Sequence, residues 1–145
     1  MKKTNYIYSI VLLVSFSILC SCGGDDDPTA QELAFEKLSG SWDLSNGGSI
    51  VIDGQDASLN FSGFSFSFAD GTYSTSNAGD LFRASGTWTW QDEEAQQISI
   101  DDGKSITIAS LTENQFVFTF TSNGTGGVAN SGEGIAGSYT ITVNK

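Results

Sequence analysis

The sequence predicts an all-β domain, about eight antiparallel strands closing into an up-and-down barrel behind one short helix. Three observations carry this reading. From Gly40 onward, apolar residues recur at every second position in short runs, the period of a strand with one buried face. Turn pairs such as Asp70-Gly71 and Asp102-Gly103 separate the runs. The only proline, Pro28, precedes all of them, so no strand contains a residue unable to donate to its ladder. Closure removes the edges that flat, weakly charged strands otherwise present. A two-sheet β-sandwich uses the same alternation and stands as the alternative.

Ahead of the domain, Lys2 and Lys3, the apolar run Ile7 to Leu19 and the small residue Ser21 make up the three parts of a secretory signal. At about 1.5 Å rise per residue that run falls well short of the ~30 Å hydrocarbon core, so cleavage is expected rather than a retained anchor helix. Leu19-Cys20-Ser21-Cys22 resembles the lipobox of bacterial lipoproteins. Cys22 has Ser21 before it and Leu19 in the aliphatic place, whereas Cys20 follows the bulky Leu19. The resemblance implies acylation of Cys22, palmitate included, and loss of Cys20 with the signal. No thiol then remains for a disulfide, a metal or a nucleophile. The expected organisation is a signal peptide over 1–21, a lipidated acidic tether over 22–28 and a barrel domain over 29–145. Asp25 to Asp27 resembles the acidic export signals of some Gram-negative lipoproteins, which implies the cell surface of the outer membrane; a solvated spacer on the periplasmic face is the alternative. Acyl chains at about 0.8 kcal/mol per buried methylene make the membrane the first expected partner.

The helix is predicted over Thr29 to Leu38. Thr29 with Glu32 three places on forms a capping box, and Pro28 sets the approach without occupying the interior. Leu33, Phe35 and Leu38 give an apolar stripe fit to dock on something larger. Trp42 and Leu44, then Ile50 and Ile52, read as a strand pair or as one long strand broken at Gly47-Gly48. Leu59 and Phe61 are in one phase and Phe64, Phe66 and Phe68 in the other, which a bulge at Ser62-Gly63 reconciles. Asp70-Gly71 turns the chain into Tyr73 and Thr75. Phe82, Ala84, Gly86, Trp88 and Trp90 share a face, Ile98 and Ile100 lead through Asp102-Gly103 to Ile106 and Ile108, and Phe116, Phe118 and Phe120 follow. A long polar loop then leads to Tyr139, Ile141 and Val143.

Leu38-Ser39-Gly40-Ser41-Trp42, a helix end running into Gly-x-Trp on the first strand, resembles the opening motif of the lipocalin superfamily. The phrases Phe64 to Tyr73 and Ser85 to Trp90 resemble the lipocalin-like domains of small bacterial lipoproteins. The resemblance covers most of Leu38 to Val143 and implies that Trp42 packs across the closed end of the barrel. In that family an arginine of the last strand covers this tryptophan. Here the last strand offers Lys145, and the sole arginine is Arg83. The domain is also short for a lipocalin, so a shallow or narrow interior is expected.

Composition excludes much chemistry. There is no histidine, so triads, histidine-ligated zinc and thiol catalysis lack their parts and no enzyme is expected. Asp92-Glu93-Glu94, Asp101-Asp102 and Asp70 fall in predicted turns with no sign of the facing carboxyls of a glycosidase. The glycine-rich stretch from Ser122 to Gly137 lacks a following lysine or helix, which argues against a phosphate loop and for a connection over one barrel mouth. No calcium-loop spacing occurs, so neither metal nor cofactor is expected. Removing Lys2 and Lys3 leaves four basic against 17 acidic residues, a net charge of −13, which repels nucleic acid. Two functions remain. One is a non-catalytic binding module holding a small hydrophobic or amphipathic ligand against Trp88, Trp90, Phe64, Phe66 and Phe68, with the glycine-rich loop as a lid. The other is a structural or interaction lipoprotein whose barrel is filled by side chains.

Overall fold

Thr29 is extended and its side chain begins the helix. Glu32 N donates to Thr29 Oγ1 at 3.2 Å while Thr29 N donates to Glu32 Oε2 at 2.8 Å, the complete capping box. Helix α1 (Ala30–Leu38) follows in the computed structural model, which describes residues 27–101, 103–124 and 135–145. The signal segment, Cys20 and Cys22, the start of the tether, Asp102 and most of the glycine-rich loop lie outside the described residues. Gln31, Ala34, Phe35 and Leu38 are the shielded face of α1, the i, i+3, i+4, i+7 set of a docked helix. Leu33 does not belong to the stripe: it is 45% exposed, because two residues of helix turn it about 200° away from Phe35.

The strands are β1 (Gly40–Asp43), β2 (Ser49–Ile52), β3 (Gln55–Asp56), β4 (Ser65–Ala69), β5 (Thr72–Ser76), β6 (Ser85–Trp90), β7 (Gln97–Ile100), β8 (Lys104–Leu111), β9 (Gln115–Ser122) and β10 (Gly137–Asn144). Neighbours pair antiparallel from β4 through β10, and β1 pairs both with β4 and with β10. The pair Asp43 with Asn144 closes the ring, so the domain is an eight-stranded barrel and not a sandwich. Asp43 and Ser49 both face the end of β10, opposite Asn144 and Thr142. β1 and β2 are therefore one strand broken by an outward loop rather than a pair. Gly48 makes the break feasible: a Cβ there would lie 2.6 Å from the backbone of Leu44.

Two strand expectations need correction. Leu59 and Phe61 are not in a strand but in a single 3-10 turn, Ser58–Phe61, with Leu59 95% exposed. The carboxylate of Asp56 accepts from Ser58 N at 2.9 Å, and Ser58 Oγ accepts from Ile50 N, a local alternative to the ladder that Asp and Ser commonly offer. Ala84 is exposed and lies ahead of β6, so the inward face of that strand begins at Gly86. The hairpins at Asp70-Gly71 and around Gly103 form as expected, with Ala69 opposite Thr72 and Ile100 opposite Lys104. A bulge between Ile108 and Ser110 returns Leu111 to the interior opposite Phe116.

Alternation places aromatic rings inside and hydroxyls outside. Phe64, just ahead of β4, and Phe66 and Phe68 on it face Phe116, Phe118 and Phe120 on β9 across an interior that also takes Phe82, Trp88 and Tyr139. The outer face is a lattice of register-matched hydroxyl residues, as in the row Ser41, Ser67, Ser74, Ser85 across four strands.

Candidate functional site

At the end of the barrel covered by α1, Trp42 is fully buried and its Nε1 donates to Leu38 O at 2.8 Å. Lys145 Nζ lies 4.2 Å from the centre of the Trp42 ring and donates to Lys37 O and Ser39 O at 2.7 and 2.6 Å. The ammonium thus caps the last carbonyls of α1 and sits on a tryptophan face, a cation–π contact. Lys145, next after β10, thereby covers the Trp42 ring from the end of the last strand. Burial lowers its pKa, and Glu113 partly offsets this.

The opposite end is closed from the connection between β5 and β6. Lys104 Nζ donates to Leu81 O and stands 4.7 and 5.0 Å from the ring centres of Phe82 and Phe120. Leu81 and Ala78 are buried there, although no alternation marks them. Nearby, Tyr73 Oη donates to Asp101 Oδ2 over Gly86, whose missing Cβ would lie 2.7 Å from Tyr73 Cε1. Burial first, then the Asp101 hydrogen bond and charge, push the Tyr73 phenol far above its ordinary range. Tyr139 Oη donates to Ile135 O at 2.7 Å, and burial raises that phenol too.

The five residues proposed from sequence as ligand contacts separate. Phe64 and Phe66 are fully buried and Phe68 nearly so. Phe66 alone touches five rings, with Phe68 stacked at 4.3 Å and Phe82 at 4.9 Å. Trp88 and Trp90 meet edge to face at 5.0 Å and extend toward α1. Trp88 Nε1 donates to Ala69 O and Thr72 O, which brings the Asp70-Gly71 turn down beside the indole. Between that turn and the helix runs a groove of about 560 Å³ lined by Thr29, Gln31, Glu32, Phe35, Asp70, Gly71, Trp88, Thr89 and Trp90. Phe35, 5.9 Å from Trp88, forms the floor, a role beyond the docking its place in the apolar stripe predicts. Its place on the shielded face of α1 beside a Trp-x-Trp strand end was the available signal. Gln31 Nε2 donates to Asp92 O at 2.8 Å and fixes the helix against the β6–β7 turn. Among the described residues no three carboxylates converge to hold a metal ion. Comparison with protein-family models, curated proteins and solved structures gave no match.

Proposed function

We propose that this chain is a cell-envelope lipoprotein, anchored through Cys22 to the outer membrane and facing the cell surface, whose lipocalin-like barrel binds a small amphipathic ligand without catalysis. The ligand lies in the groove between α1 and the β4–β5 turn rather than inside the barrel. One observation carries this. The interior rings are occupied with one another, whereas Trp90 is half-buried and shares the groove with Phe35 and Trp88, the apolar floor and polar rim of a small-molecule site. Tryptophan fluorescence of the purified full chain, titrated with amphiphiles of varied head group, tests it. Saturable quenching that Trp90→Ala abolishes supports the groove. A flat response to every head group defeats it and leaves the second reading, an interaction lipoprotein with a filled barrel, which the ring packing of β4 and β9 favours. The anchor has its own test: Cys22→Ser moves the protein from membrane to soluble fractions, and continued membrane association refutes lipidation as the attachment.

A further inference from the structure

The groove has a marked charge asymmetry. Its lining includes the carboxylates of Glu32 and Asp70 and no cationic side chain. The Gln31 to Asp92 hydrogen bond brings the turn carrying Asp92, Glu93 and Glu94 to the same turn of α1. Glu32 on the helix and Asp70 on the β4–β5 turn thus stand on the two sides of an aromatic floor, while the Asp92 carboxylate accepts from Gln96 N and Gln97 N within its own turn. The Asp70 carboxylate makes no hydrogen bond or ion pair among the described residues. Glu32 uses only Oε2 in the capping box. The two described lysines placed by contacts, Lys145 and Lys104, are engaged elsewhere, one at the far turn of α1 and one at the opposite end of the barrel. The positive end of the α1 dipole, about half a charge, faces this region but already has Glu32 beside it.

Resting on the groove reading above, we propose that its ligand is an organic cation, an ammonium group on an apolar body. The apolar body lies on Phe35 and Trp90, and the ammonium lies between ring faces and the Asp70 carboxylate. Indole faces attract ammonium groups, and a concave surface with carboxylates around low-dielectric walls concentrates cations and repels anions. An organic cation brings apolar substance that the rings can cover, which a bare metal ion does not.

The test uses the purified full chain in uncharged lipid nanodiscs and three water-soluble probes sharing a phenylbutyl body, ending in trimethylammonium, carboxylate or hydroxyl. The cation is expected to bind about tenfold more tightly than the neutral probe, with the anion weakest. Asp70→Asn, and separately Glu93→Gln with Glu94→Gln, each weaken the cation about two- to fivefold and leave the neutral probe unchanged, as for exposed charges. Equal or tighter binding of the anion or the neutral probe overturns the charge assignment while the groove reading stands. Cation binding indifferent to these substitutions and to salt overturns it as well. Failure of all three probes removes the groove reading, and this inference with it.

Discussion

The two ends of the barrel are closed by the same device on different scaffolds. At the helix end Lys145 lies on Trp42 and holds two carbonyls at the end of α1; at the loop end Lys104 lies on Phe82 and Phe120 and holds the carbonyl of Leu81. A lysine suits both places because its apolar stem crosses the rim while its head finds ring faces and carbonyls. The difference lies in what each lysine holds. Lys145 fastens a regular element whose backbone hydrogen bonds are made within itself, so the helix end can carry a groove with a half-buried tryptophan. Lys104 fastens an irregular connection that depends on Leu81 and Phe82 for burial, and no helix spares those residues from packing.

Substitution of the buried anchors gives the largest contrast. Trp42→Ala should cost about 3 to 5 kcal/mol and Leu81→Ala about 2 to 5 kcal/mol in urea unfolding. Hydrogen exchange should show α1 amides released first in the former and the β5–β6 connection in the latter. Identical exchange patterns would show that the ends are one cooperative unit. Next come the lysines. Lys145→Met should lose about 1 to 2 kcal/mol through the ring contact and the carbonyl hydrogen bonds, with the loss confined to α1. Lys104→Met should lose a similar amount at the loop end, and the two losses should add, since the sites lie at opposite ends of the barrel.

Thr29→Ala removes the capping box and should cost about 1 kcal/mol, read as fraying of α1 with the loop end untouched. pH separates the ends more gently. Hydrogen bonds from Thr29 hold the Glu32 pKa below its ordinary 4.5, so its contribution is present above that value and fades as pH falls, loosening the helix end in acid. The Tyr73 phenol is raised above its ordinary 10.0; its contribution is full below pH 10 and is lost at higher pH, loosening the loop end in alkali. Lys145, lowered by burial, acts with opposite sign there. Tyr73→Phe should therefore flatten the alkaline arm of a thermal-stability profile, and an unchanged arm would place the alkaline loss elsewhere.

Much of this architecture was legible because its signals are local. Thr29 and Glu32 announce the helix start three residues apart, Asp70-Gly71 announces a hairpin, and Phe116, Phe118 and Phe120 announce an inward face. The failures have equally specific causes. Leu59 fits a strand by its apolar character, but Asp56 and Ser58 bond nearby backbone and curl the chain first. Leu81 and Ala78 are buried without alternation because their surroundings are a loop folded inward by Lys104. For the candidate site, the period of two marks Trp88 and Trp90, yet nothing local distinguishes them from Phe64, Phe66 and Phe68. Position along the barrel axis makes that difference, and Phe35 and Asp70 join the groove only through contacts distant in sequence.

By itself the sequence determined the all-β class, the one helix with its cap, the hydroxyl outside and the aromatic inside, since each follows from spacing of two to four residues and from side-chain chemistry. Only the tertiary structure decided that the sheet closes, through Asp43 and Asn144 at opposite ends of the domain. It also decided that Lys145 lies on Trp42 and that two tryptophans border a groove while three phenylalanines fill the core. Those outcomes depend on which strands meet and at what height, and register between remote segments is set by the sum of many weak contacts rather than by any residue readable alone.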